Sequence, residues 1–187
     1  MKSLFTIHVG EYLVGLHIEK AYKKAGWNIW LPAKDTGIDL LVSDSRNRKT
    51  VSLQVKFAKD STPQYGTPIQ KNRLLAMGWW TLDPKKIAES IADFWVFVLP
   101  SFVEKKDSFI ILPPAKLLRR LKAIPGLYNE NRIQSYFHVT KKKRCWQTRG
   151  LSRADEDALA QGEEAERSRD FSECLINAWK PIEDKLK

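Results

Sequence analysis

Gly37-Ile38-Asp39-Leu40-Leu41-Val42, the polar stretch Asp44 to Lys49, and Val51-Ser52-Leu53-Gln54-Val55-Lys56-Phe57 decide how this chain reads. Val51, Leu53, Val55 and Phe57 are apolar and alternate with Ser52, Gln54 and Lys56, the period-two pattern of a strand with one face in a core. Ile38, Leu40 and Val42 share a face in the same way, which puts Asp39 on the other side. Asp44 to Lys49 has the composition of a turn, so the whole reads as a β-hairpin. With the turn centred on Arg46-Asn47, Asp39 falls opposite Gln54 and Lys56 lies one pleat along. Cross-strand neighbours are about 5 Å apart and same-face neighbours about 7 Å. A carboxylate and an amide oxygen at that spacing can share a divalent cation, with a lysine beside them to orient a water.

The segment before the hairpin predicts a helix. Val14, Ile18, Ala21 and Ala25 recur at i, i+4, i+7 and i+11, and Tyr22 widens the stripe. Glu11 falls at the N-terminal end of that inward face, where an unpaired carboxylate is costly. It either serves the helix start through the macrodipole or turns toward the Asp39–Gln54 pair. Gly26 stands where a C′ residue ends a helix, and Trp27 to Leu31 follows as a strand.

Together these residues resemble the PD-(D/E)xK phosphodiesterases, the restriction-endonuclease-like nucleases. That family carries an acid on one strand and acid-x-Lys on the next. Asp39 matches the first acid and Gln54-Val55-Lys56 the acid-x-Lys, with glutamine where Glu or Asp is usual, a variant that Mrr-like modification-dependent restriction enzymes also show. Glu11 matches the glutamate that the family's preceding helix often contributes. The resemblance runs from the first helix to the strand ending at Leu99. It implies an α/β fold with a restriction-endonuclease-like core of order α-β-β-β-α-β over residues 1–140, a central mixed sheet flanked by helices; beyond it, the charged composition of 141–187 reads as a basic linker and helical extension. It also implies a Mg²⁺ or Mn²⁺ ion held by Glu11, Asp39, the Gln54 side-chain oxygen and the Val55 carbonyl. Lys56 would then orient the attacking water, and cleavage of DNA would leave 5′-phosphate and 3′-hydroxyl ends, in restriction, defence or repair. Gln54 removes one negative charge from that set. The same residues therefore also suit a weakly catalytic or inactive nucleic-acid-binding subunit of a larger complex.

Composition agrees with a polyanionic partner. The 187 residues carry 32 Lys and Arg against 22 Asp and Glu, a formal net charge of +10, which favours nucleic acid. Candidate phosphate contacts are Lys34, Lys59, Lys71, Arg73 and the run Lys141, Lys142, Lys143, Arg144; the run reads equally as a solvated linker. Cys145 and Cys174 have no metal-ligand spacing and read as reduced thiols of a cytoplasmic protein. No run approaches the length of a membrane helix. No Walker loop or G-x-G-x-x-G is present, so no nucleotide cofactor is expected. His8, His17 and His138 are scattered, and His17 reads as a helix-surface residue.

Ala58 to Met77, with Pro63, Gly66 and Pro68, reads as a loop with one short helix. Trp79-Trp80 offers either a base-stacking surface or one ring in the core and the other on a helix. Asp83-Pro84 caps a helix running to Ile91. Asp93 to Leu99 is a strand covered on both faces, and Phe109 to Leu112 is another. Pro113-Pro114 opens a helix with Leu117, Leu118, Leu121 and Ile124 inside and Lys116, Arg119, Arg120 and Lys122 outside, solvated or facing phosphate. Tyr136 to Val139 is an edge strand. Ser152 to Arg169 is an exposed helix or a mobile arm. Asp170-x-x-Glu173 is a capping box for a last helix whose Phe171, Leu175, Trp179 and Ile182 cover the chain's own core or a homodimer mate.

Overall fold

A computed structural model describes residues 4–33, 36–101 and 103–187. Its frame is a five-stranded sheet in the order β1 (Asn28–Trp30), β2 (Leu40–Ser43), β3 (Thr50–Phe57), β5 (Phe94–Ser101), β6 (Lys106–Leu112). β1, β2 and β3 form an antiparallel meander, β3 pairs with β5 in parallel, and β5 pairs with β6 antiparallel. The fold is thus α/β with a mixed central sheet flanked by helices. Among the described residues no helix is long and apolar enough to cross a membrane.

One face of this sheet is covered by α1 (Leu4–Ala21) and α8 (Lys180–Leu186). Val14 and Ile18 pack there with Leu40, Val42, Val51, Leu53, Val55, Val96, Val98 and Ile182. The fully buried part of the stripe ends at Ile18, and Tyr22 packs against the same cluster. Ala21 and Ala25 are exposed, because Lys23–Ala25 tightens into a 3₁₀ turn closed by Gly26 at φ 66°. His17, expected on the surface, is half-buried and stacks on Trp179 at 4.6 Å, with Phe109 at 4.8 Å. Gly10 lets α1 approach β3 closely. A Cβ there would lie 2.9 Å from Phe57 Cβ and 3.0 Å from Val55 Cγ1.

A second sheet, β4 (Leu74–Leu82), β7 (Ile133–Thr140) and β8 (Cys145–Gln147), packs on the other face together with α5 (Pro114–Lys122). Trp95, Phe97 and Leu99 of β5 meet Ala76, Trp80 and Leu82 of β4, Phe137 and Val139 of β7, and Leu117 and Leu121 of α5. All eight residues of β5 are buried, as its unbroken apolar run requires.

The expected loop over 58–77 is instead α2 (Thr62–Tyr65), α3 (Pro68–Arg73) and the first half of β4. Pro63 and Pro68 sit in the first turns of the two helices, where proline breaks nothing. α4 (Pro84–Ala88) is capped by Asp83 as expected but ends before Ile91. β7 is the middle strand of its sheet, not an edge. Lys141 to Arg144, expected to lead out of the core, is the turn between β7 and β8, with Lys143 at φ 61°. The chain beyond it supplies Cys145, Phe171 and Cys174 to one core cluster and Ala178, Ile182 and Leu186 to the other.

The expected last helix is two, α7 (Ser172–Ile176) and α8, with Pro181 in the first turn of the second. No capping box forms there. Asp170 instead accepts from Ser172 N at 2.8 Å and pairs with Arg144 at 3.3 Å. The capping box of this region belongs to α6 (Arg153–Gln161), between Ser152 and Asp155. Of the outer cations on α5, Lys116 pairs with Glu173 and Arg120 lies over the Phe171 ring. Those two serve the chain's own packing, while Arg119 and Lys122 are exposed.

Two expectations follow. Gly10→Ala should lower stability by about 1–3 kcal/mol, as over-packing does. Gly15→Ala, whose new Cβ would stand 3.7 Å from Ile29 Cδ1, should be neutral or stabilising by up to about 1 kcal/mol; urea unfolding of the pair checks both. His138 on β7 is 3% exposed, and burial pushes its pKa down to about 4 despite the nearby Asp157. Folding therefore favours the neutral ring. That contribution is complete above the ordinary value of 6.5 and is lost as pH falls toward about 4. At about 1.36 kcal/mol per pKa unit the loss approaches about 3 kcal/mol. Stability of His138→Gln should fall less steeply than wild type across that window in urea titrations.

Candidate active site

β2 and β3 pair from Leu40 opposite Leu53 to Ser43 opposite Thr50, the register of a turn centred on Arg46-Asn47. Asn47 takes φ 55° there, and Asp44 Oδ1 accepts from the N–H groups of Arg48 (2.7 Å) and Lys49 (3.1 Å). At the other end the pairing steps. Asp39 N–H also donates to the Leu53 carbonyl, at 2.8 Å, as in a β-bulge. The step turns the Asp39 carboxylate onto the next two residues of β3. Its Oδ2 accepts from Gln54 Nε2 at 2.7 Å and from Val55 N at 2.6 Å. The side chain of Asp39 thereby stands in for a partner strand where β2 has ended.

This has a consequence for the Val55 carbonyl. The N–H and C=O of one strand residue face the same side, so the carbonyl points to the side that Asp39 occupies. Gln54 and Lys56 alternate with it and project together onto the sheet face bearing Trp95. Lys56 Nζ lies 5.2 Å from the centroid of that ring, a cation–π arrangement that holds the ammonium at the wall. In Gln54 the carboxamide oxygen turns toward Gly37, where a Cβ would stand 3.7 Å from it. Gly37 has φ 84°, which a residue with a side chain rarely adopts.

Glu11 reaches the same place from α1, carried there by the close approach at Gly10. Glu11, Asp39, Gln54, Val55 and Lys56 line one cleft of about 710 Å³. Its opposite wall is β4 and α4, through Trp79, Thr81, Asp83 and Lys86. The structure therefore brings together all four residues expected to form the catalytic set, and the backbone carbonyl expected with them. Three lysines (56, 59 and 86) and three acids (11, 39 and 83) line the cleft, so its formal charge is balanced. A cation with free coordination sites can be taken up there through oxygen ligands. Among the described residues no group of three or more His, Cys, Asp and Glu is placed to hold a metal. The set here has two carboxylates, an amide and a carbonyl.

Trp95 and Lys86 were not anticipated. Trp95 stands beside Gln54 in the parallel register, but the continuous apolar run of β5 hides which of its residues face the cleft. Lys86 follows the Asp83 cap, and its own N–H donates to Asp83 Oδ1 at 3.4 Å.

Of the expected phosphate contacts, Lys34 lies outside the described residues and Lys59 lines the cleft. The others gather around the β7–β8 turn. Lys71 and Lys141 share one recess, and Arg73, Lys141, Lys142 and Arg144 another. Lys141 is paired with Glu104 at 2.8 Å, and Arg144 with Asp170, its guanidinium 4.7 Å from the Trp146 ring centroid. These two cations serve the fold first. Cys145 and Cys174 are buried, and burial pushes both thiols up, which keeps them unreactive.

Comparison of the chain with protein-family models, with curated proteins and with solved structures finds no match in any of the three.

Proposed function

We propose that the chain is a metal-dependent phosphodiesterase, an endonuclease acting on DNA, whose site is the Gln-x-Lys form of the PD-(D/E)xK arrangement. The observation that carries this reading is the Asp39 carboxylate seated on Gln54 Nε2 and Val55 N, in the cleft that also receives Glu11 and Lys56. The element order supports it. Helix α1, the meander β1–β3, a crossover that includes helices and the parallel strand β5 follow the α-β-β-β-α-β order that the resemblance implies.

Glu11, Asp39, the Gln54 side-chain oxygen and the Val55 carbonyl would hold Mg²⁺ or Mn²⁺, which would supply Lewis-acid polarisation of the phosphodiester and a lowered pKa for the attacking water. Around it the chain's own groups have distinct tasks. Val55 N–H fixes one Asp39 oxygen and with it the plane of the carboxylate. Gln54 offers its oxygen by rotating the carboxamide, which gives up the Nε2 bond to Asp39. Lys56, held over Trp95, orients the attacking water and stabilises charge building on the phosphoryl oxygens. Attack at phosphorus with departure of the 3′ oxygen leaves 5′-phosphate and 3′-hydroxyl ends. Since the three lysines of the cleft already offset its three acids, the phosphodiester adds a negative charge that a divalent cation would balance.

A second reading is favoured by one observation. Gln54 Nε2 gives Asp39 Oδ2 a neutral donor beside Val55 N, so that oxygen is satisfied without an ion. On that reading the chain is a nucleic-acid-binding subunit of a larger nuclease or defence complex, with little turnover of its own.

Cleavage of supercoiled plasmid in Mg²⁺ separates the two. Wild type should nick or linearise it, on a methylated or branched substrate if not on plain duplex. Asp39→Asn, which keeps an acceptor for Val55 N–H, should lose at least about 100-fold, and Lys56→Ala a similar factor, the size of a lost electrostatic contact in a transition state. Gln54→Glu adds a charge and should tighten Mg²⁺ in calorimetry. Mg²⁺ affinity unmoved by Gln54→Glu would take Gln54 out of the site. DNA binding without cleavage or metal uptake would leave the binding subunit.

A further inference from the structure

We propose that the outer face of the second sheet, next to the cleft, is a platform on which unpaired bases of the bound strand stack; this rests on the nucleic-acid reading of the cleft. The two adjacent tryptophans of β4 have opposite fates. Trp80 is 7% exposed and belongs to the core, while Trp79 is 57% exposed. A ring that exposed offers a flat apolar face to a partner.

Trp79 does not stand alone. It lies opposite Tyr136 in the β4–β7 register, edge-to-face at 6.5 Å, and the Arg149 guanidinium lies over the Tyr136 ring at 5.2 Å. The backbone explains the closeness. Met77 N donates to Asp60 and Met77 O accepts from Ser61, so Met77 faces away from β7, and Trp79, two residues on, does the same. Tyr136 O accepts from Thr148 N on the far side of its own strand. Trp79 and Tyr136 are therefore a pair without mutual backbone bonds, the kind in which side chains approach most closely. The three side chains form one aromatic and cationic row.

The ends of the row decide what it fits. Trp79 lines the cleft that holds Asp39, Gln54 and Lys56. Arg149 lines a recess of about 610 Å³ together with Arg132, Asn129, Asn131 and Gln134. The row thus joins the place of phosphodiester chemistry to a recess with two guanidinium groups for phosphates and three amides for base edges. A flat ring accepts the π-face of any base, whatever its identity. Bases inside a duplex already stack on each other, so the occupant is an unpaired segment: a tail, a flap, or a nucleotide turned out of the helix. The substrate class this assigns is DNA with single-stranded character beside the bond that is cut.

Anisotropy in EDTA, where nothing is cleaved, tests the platform with three fluorescein-labelled oligodeoxynucleotide probes: a blunt duplex, the same duplex with a single-stranded tail, and the tail strand alone. Wild type should bind the tailed duplex about tenfold more tightly than the blunt one. Trp79→Ala should erase that gain, Trp79→Phe should keep most of it, and Arg149→Gln should remove part. A 2-aminopurine placed in the tail should change its fluorescence on wild type and not on Trp79→Ala, a signature that general loss of charge or fold would not give. Tailed and blunt duplexes binding alike, with Trp79→Ala altering neither, would overturn the platform. The nuclease reading would then still stand on the Asp39→Asn loss of plasmid cleavage. Wild type binding none of the three probes would overturn the platform too, and the nuclease reading would again be decided by plasmid cleavage in Mg²⁺.

Discussion

Because β3 and β5 lie side by side and run parallel, the chain between them must return from one end of the sheet to the other. That return, through α2, α3, β4 and α4, is where the second sheet begins and where the cleft acquires its opposite wall. β4 can lie against the first sheet because Gly78 carries no side chain; a Cβ would stand 2.9 Å from Ala58 Cβ and 3.3 Å from Leu99 Cδ2. The parallel pair is itself pinned at its start. Ser52 N and Oγ both donate to Asp93 Oδ2, and Asp93 also pairs with Lys185 of α8. The C-terminal helix is therefore part of what holds the two central strands together.

The same geometry explains why the candidate site sits at the end of β3. β2 leaves the sheet at Leu40 while β3 runs on to Phe57, so Val55 offers backbone groups on the side that β2 has vacated. A buried N–H without a partner is costly, and the Asp39 carboxylate meets that need at 2.6 Å. A structural bond thus fixes the orientation of a residue suited to chemistry. Glu11 arrives by an unrelated device, the tight contact at Gly10. Removing either constraint would leave the residues in the sequence but separate them in space.

Much of this was legible before the structure. The hairpin register followed from strict alternation and an all-polar turn, since a slip by one residue would put Leu53 and Val55 on the wrong face. The bulge at Asp39 was not legible, because it depends on where β2 stops. β4 was missed for a specific reason. Leu74-Leu75-Ala76-Met77 does not alternate, as both sides of that strand end meet protein, and the prolines just upstream looked like loop punctuation while in fact opening helices. The basic run was read by composition as a way out of the core. Its Arg144 is instead paired with Asp170, which takes that acid away from the helix cap its sequence suggested. Side chains drawn into distant pairs of this kind leave no local signal.

On the proposed function, Asp39 and the Val55 carbonyl, with Glu11 and a rotated Gln54, form a divalent-cation site. Anomalous scattering from crystals soaked in Mn²⁺ tests it most directly. The expected result is a manganese peak bonded to Asp39 and the Val55 carbonyl oxygen, with the Gln54 carboxamide turned so that its oxygen, no longer its nitrogen, faces Asp39. A map with no such peak at saturating Mn²⁺, and the Gln54 Nε2 to Asp39 bond intact, would contradict it.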